Sequence, residues 1–97
     1  RSIGVPDASV DRVLIVDTWH HISDRGIYAA GLARALRAGG MIAIVDFTLE
    51  SPMGPPRMHR LAPEAVRGEL ESASLQPSVI DAGLPDQYIV KGISGAR

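Results

Sequence analysis

Cysteine is missing from this 97-residue chain. That excludes disulfides, thiolate metal sites and cysteine nucleophiles. Charge of one sign is also missing: ten Lys and Arg stand against eleven Asp and Glu, for a formal net charge of -1. Only Lys91 is a lysine, and there is no broad basic footprint for nucleic acid or an acidic membrane. No apolar run approaches the length that spans a bilayer, and Arg1 to Gly4 lacks a signal-peptide pattern, so a cytoplasmic location is the default expectation. No GxGxxG or GxGxG turn follows a strand, and there is no P-loop.

What is present is a foldable composition, 45% hydrophobic, with the length of one domain or part of one. Arg12 to Val16 (RVLIV) is apolar without alternation, the pattern of a strand buried on both faces of a parallel sheet. Ser23-Asp24 offers an N-cap for a helix to about Arg37, with Ile27, Ala30, Leu32 and Leu36 as its stripe and Gly39-Gly40 as its stop. Met41 to Phe47 is a second buried strand. Thr48 to Leu61 is a proline-rich loop, and Pro63 suits the first turn of a helix reaching about Ala73. Val66, Leu70 and Ala73 would face the sheet. Leu75 to Ala82 and Gln87 to Ile93, joined by Gly83-Leu84-Pro85-Asp86, form an antiparallel hairpin. The expected class is α/β, in the order β-α-β-α-β-β, with a mixed sheet.

In open α/β sheets, ligands bind at the carboxyl ends of the strands. Asp17, Thr18, His20 and His21 follow the first strand there, Asp46 ends the second, and the proline-rich loop leaves from the same rim. A small-molecule site is expected on that rim. No metal is expected: adjacent histidines in a turn rarely point to one centre, and the His-x3-His helical spacing is absent. Trp19 reads as a core anchor. His59-Arg60 is open between a base with an anion clamp and a loop-anchoring pair. Glu64, Glu69 and Glu71 with Arg67 read as a solvated helix face, and Tyr88 as a packing residue whose hydroxyl can reach the rim.

Three stretches resemble the C-terminal half of a class I S-adenosylmethionine-dependent methyltransferase of the bacterial small-molecule type. "VPDASVDRVLIVDTWHHISD" is similar to the family's fourth-strand segment, with its "PD" lead-in and its "HH" after the strand. "LARALRAGGMIAIVDF" is similar to the next helix, glycine stop and fifth strand, with Ala38 where the family usually has proline. "GPPRMHRLAPEAVRGELESASL", with "LPDQYIVKG" after it, resembles the sixth-strand region. The family's glycine-rich cofactor loop and its acids for ribose and adenine lie upstream of such a segment.

The resemblance implies half of a Rossmann-like domain over residues 1–97 and a small-molecule acceptor. S-adenosylmethionine would be the cofactor, with Val16, Asp17, Thr18, His20 and His21 lining its methionine side. Asp46 and His59 would line the substrate, and His20 and His59 are the candidate bases. A half domain leaves its first strand without the neighbour it has in the family and one sheet face bare. The chain is therefore expected to form a homo-oligomer, such as a dimer, or to pair with an N-terminal partner that completes the sheet. A non-catalytic remnant acting as a binding or dimerisation module is the other class of function that this pattern allows.

Overall fold

The computed structural model describes residues 6–49, 51–52, 54, 56, 60–80 and 83–95. Strand β1 (Val10–Val16) leads into a single 3-10 turn (Trp19–His21) and helix α1 (Arg25–Ala35). Then come β2 (Leu36–Phe47), α2 (Pro63–Ser72), β3 (Leu75–Ile80) and β4 (Gln87–Ser94). The four strands form one sheet in the order β1-β2-β4-β3. β1 and β2 run parallel, and β4 is antiparallel to both β2 and β3. This is the expected mixed α/β sheet with its closing hairpin. His59, and Asp81 and Ala82 at the end of the expected third strand, lie outside the described residues.

The glycine pair has a different role from the expected helix stop. α1 ends at Ala35, and Leu36 already has extended dihedrals (φ -74°, ψ 137°). β2 therefore starts five residues before Met41. Its pairing with β1 jumps from Val10 opposite Leu36 to Arg12 opposite Met41, so the extra residues bulge out of the ladder. Gly39 takes φ 79°, and a Cβ on Gly40 would sit 2.8 Å from the Arg37 carbonyl oxygen. Only glycine accommodates both demands.

Both helices pack on one face of the sheet. The pleat puts Val13 and Ile15 of β1, Ile42 and Ile44 of β2, and Tyr88 and Val90 of β4 on that face. They meet Ala29, Leu32 and Ala33 of α1 and Val66 and Leu70 of α2. Each large aliphatic side chain fully buried here contributes about 1.5–3 kcal/mol. The expected stripe of α1 is shifted: Ile27 is half exposed, and small residues approach the sheet instead. The stripe of α2 is as expected, with Val66 and Leu70 one turn apart and fully buried. Pro63 occupies its first turn, where a missing N–H costs nothing. Pro77 is tolerated because β3 is an edge strand.

The other sheet face carries no helix among the described residues. Leu14 is 68% and Val16 46% exposed there, beside Met41, Ala43, Val45 and Phe47 of β2 and Ile89 and Ile93 of β4. β1 forms the other edge of the sheet. Its apolar run is thus half used, on the helix side only.

Candidate functional site

The rim is built where β1 and β2 end and β4 begins. Asp17 takes a left-handed conformation (φ 57°), which breaks off β1 while its N–H still donates to the Val45 carbonyl at 2.7 Å. That turn carries its carboxylate across the end of β2, where the Gln87 side-chain amide donates to Oδ1 at 2.5 Å. Asp17, Phe47, Leu84, Pro85, Asp86 and Gln87 line a hollow of about 310 Å³. The Thr48 N–H donates to the Asp86 carbonyl at 2.9 Å and fastens the hairpin turn to the end of β2. This volume is at the lower end of the range of about 300–1,000 Å³ for small-molecule sites. A larger hollow of about 410 Å³, lined by Arg34, Ser74 and Ser94 among others, lies at the opposite end of the strands, away from every candidate residue.

On the helix side of the same rim, His20 and Asp46 form a buried pair. His20 Nδ1 is 2.9 Å from both carboxylate oxygens, and the side chains are 3% and 4% exposed. The His20 backbone N–H donates to Oδ2 at 3.2 Å and the Phe47 N–H to Oδ1 at 2.8 Å. Facing a carboxylate, which only accepts, Nδ1 is the ring nitrogen that donates. Nε2 is buried and has no hydrogen-bond partner among the described residues. The ring of His21 lies against that of His20, with centroids 4.1 Å apart, and is exposed. Thr18 is exposed, and Val16 belongs to the bare face.

The residues expected on one rim thus divide between its two sides. Asp17 joins Gln87 at the open hollow, whereas Asp46 turns inward to His20. Arg60 directs Nη1 to the carbonyls of Thr48 at 3.0 Å and Ser51 at 2.6 Å, which ties the base of the proline-rich loop together.

Two residues that the sequence pattern places elsewhere also serve this region. Glu69 is not part of a solvated face. Its Oε1 accepts from the indole N–H of fully buried Trp19 at 2.9 Å, and its Oε2 from Arg25 Nε at 2.7 Å. Gln87, which the pattern marks only as the start of a strand, holds Asp17. Neither residue has a local signal, because their partners are 50 and 70 positions away in sequence. Tyr88 packs as expected, and its hydroxyl donates to the Leu61 carbonyl at 2.8 Å. Burial, with the nearby charges of Asp46 and Glu69 next in weight, pushes its phenol above the usual range.

The mixed sheet with its closing hairpin is that of part of a Rossmann-like methyltransferase fold, as comparison with known proteins shows. Residues 1–44 match the family described as a methyltransferase domain. The 27-O-demethylrifamycin SV methyltransferase of Amycolatopsis mediterranei (strain S699) is 37% identical over 83 residues, covering 81% of this chain and 30% of the relative. A SAM-dependent methyltransferase from Aquifex aeolicus superposes with a TM-score of 0.85 at 26% identity, covering 95% of this chain and 50% of that one. The 1,6-didemethyltoxoflavin-N1-methyltransferase of Burkholderia thailandensis, solved with 1,6-didemethyltoxoflavin and S-adenosylhomocysteine, shares the fold. Its TM-score is 0.66 at 21% identity, covering 94% of this chain and 46% of that one. Residues 1–44 thus match the methyltransferase domain family, and along most of its length the chain resembles part of these methyltransferases. It spans half or less of the length of these relatives.

Proposed function

We propose that this chain supplies the acid–base side of an S-adenosylmethionine-dependent methyltransferase site that acts on a small molecule. The observation that carries this reading is the His20–Asp46 pair: an imidazole held by a carboxylate on Nδ1, with Nε2 left unpartnered among the described residues. A base so arranged takes a proton from a hydroxyl or amine as that nucleophile bonds to the methyl carbon. Such a group contributes typically about 10²–10⁴-fold to rate. His20 accepts the proton on Nε2, and Asp46 stabilises the imidazolium and fixes the ring.

The cofactor supplies a methyl group on positively charged sulfur, which departs as a neutral thioether. Asp17 fits its methionine end in kind, since a carboxylate lining a hollow suits an ammonium group. Val16, Thr18 and His21 flank that position along the chain, and His20 lies on the other side of the rim, against Asp46. The hollow supplies one wall, and the remaining half of the domain supplies the other. That half is also the proposed occupant of the bare sheet face and of the free edge of β1. Support comes from the apolar face and from relatives of two or more times the matched length. His59, as a second base or substrate-lining group, stays a proposal from the sequence.

The test is calorimetry with S-adenosylhomocysteine on the chain joined to the first half of a class I domain, and then methyl transfer to a panel of hydroxyl and amine acceptors. One-site binding that Asp17→Ala weakens is expected. His20→Gln should keep that binding and lose transfer. Transfer indifferent to His20→Gln would overturn the acid–base role, and absence of both binding and transfer would leave a binding or dimerisation module as the function.

A further inference from the structure

We infer that Glu69 is a positioning residue, which sets the direction of the His20 ring through Trp19. This inference rests on the reading of His20 as the base.

The turn that carries His20 has little stiffness of its own. It is a single 3-10 turn closed by two backbone hydrogen bonds, His21 N–H to Thr18 at 2.9 Å and Ile22 N–H to Trp19 at 3.1 Å. No side chain caps it. Asp17 and Asp24, on either side, both take positive φ (57° and 51°), so the chain changes direction before and after it. A segment of this kind is held from outside. Two side-chain carboxylates do so. Asp46 on β2 grips His20, and Glu69 on α2 grips Trp19, the residue before it.

The grip on Trp19 is stringent. Its indole is fully buried and stands edge-on to Tyr28 of α1 at a centroid distance of 6.2 Å. Its N–H therefore has to be satisfied by protein, and Glu69 Oε1 does so at 2.9 Å. The second oxygen takes Arg25 Nε, at the start of α1, at 2.7 Å, so the carboxylate cannot rotate away from the indole without breaking a second contact. Arg25 also donates from Nη1 to the Ile22 carbonyl at 3.3 Å, just after the turn. Glu69 and Arg25 thus clasp both ends of the turn. With adjacent residues Trp19 and His20 fixed on opposite sides, the imidazole has one orientation against Asp46.

A mere strut would support the fold without affecting the His20 ring, and the experiment separates the two roles. The ¹⁵N-labelled 97-residue chain is examined by NMR for solvent exchange of the His20 Nδ1 proton, assigned by its loss in His20→Gln. Glu69→Ala is expected to speed that exchange at least tenfold while the β-sheet amide pattern persists. Glu69→Gln, which keeps an acceptor for the indole, is expected to return the rate to near the parent value. Should Glu69→Ala fail to fold, Arg25→Ala decides: it frees Oε2, and faster exchange is expected. Parent-like exchange in Glu69→Ala, or in Arg25→Ala where that variant decides, overturns the inference even if thermal stability falls. The measurement needs neither cofactor nor methyl transfer. Failure of the methyltransferase reading would appear as absent S-adenosylhomocysteine binding and would leave the exchange rates unaffected.

Discussion

Tyr88 and Asp46 sit opposite each other in the β2–β4 ladder, both on the face that the helices cover. The phenol is buried beside a carboxylate, and its proton goes to the Leu61 carbonyl just ahead of α2. One residue thus links the rim pair to the entry of a helix. Its pKa is raised first by burial and then by the charges of Asp46 and Glu69.

A proton held more tightly in the folded than in the unfolded state gives stability that is complete below the unfolded pKa, about 10 for tyrosine. That stability is lost as pH rises from there toward the higher folded value. Urea unfolding between pH 8 and 11 should show a decline above about pH 10, and Tyr88→Phe should flatten it. At neutral pH the same substitution should cost about 1 kcal/mol for the lost hydrogen bond.

Asp46→Ala would leave the backbone N–H groups of His20 and Phe47 and the ring Nδ1 without their acceptor. An unsatisfied buried donor costs about 1–3 kcal/mol, so the loss should be at least that large. Asp46→Asn keeps one acceptor oxygen but turns an amide toward donors, so its unfolding midpoint should lie between alanine and the parent. A double-mutant cycle with His20→Gln measures the coupling; additive effects would mean that the pair contributes nothing as a pair.

Much of this architecture was legible because strand and helix patterns are local. RVLIV and MIAIVDF lack alternation, Pro63 opens a helix, and the Gly83 to Asp86 turn lies between two short strands. The Gly39-Gly40 pair misled because a helix stop and a strand bulge ask the same thing of glycine, and only the Val10–Leu36 pairing distinguishes them. At the rim, the pattern placed Asp17, His20 and Asp46 together but not their sides. The side is decided by the φ of Asp17 and by the pleat of β2, which sends Asp46 inward and Phe47 outward. Glu69 looked solvated because glutamates at neighbouring helical positions usually are, and its indole partner lies 50 residues back.

Gly92 lies on the sheet face beneath α2. A Cβ there would meet Leu70 Cδ1 at 3.1 Å and Ile42 Cγ2 at 3.3 Å, both fully buried side chains. Overpacking of this kind costs about 1–3 kcal/mol. Gly92→Val should lower the thermal midpoint by several degrees, and Gly92→Ala by less, because the Leu70 end atom can shift slightly. Equal midpoints for all three proteins would show that the helix rides higher on the sheet than the contacts indicate.

The bare face makes the opposite kind of prediction, in which association changes and stability does not. Leu14 is 68% exposed and touches little of the core, so Leu14→Lys should alter unfolding free energy by no more than about 0.5 kcal/mol. Yet it stands among Val16, Val45 and other apolar residues on a free edge strand, and exposed patches of that kind draw partners. Sedimentation of the isolated chain should therefore show concentration-dependent self-association, and Leu14→Lys should shift it toward monomer. The same variant should weaken capture by the first half of a class I domain, because a lysine would have to be desolvated against that half. A parent chain that stays monomeric at high concentration and ignores that half would show that the exposed face draws no partner, and the proposed completion of the sheet would fail.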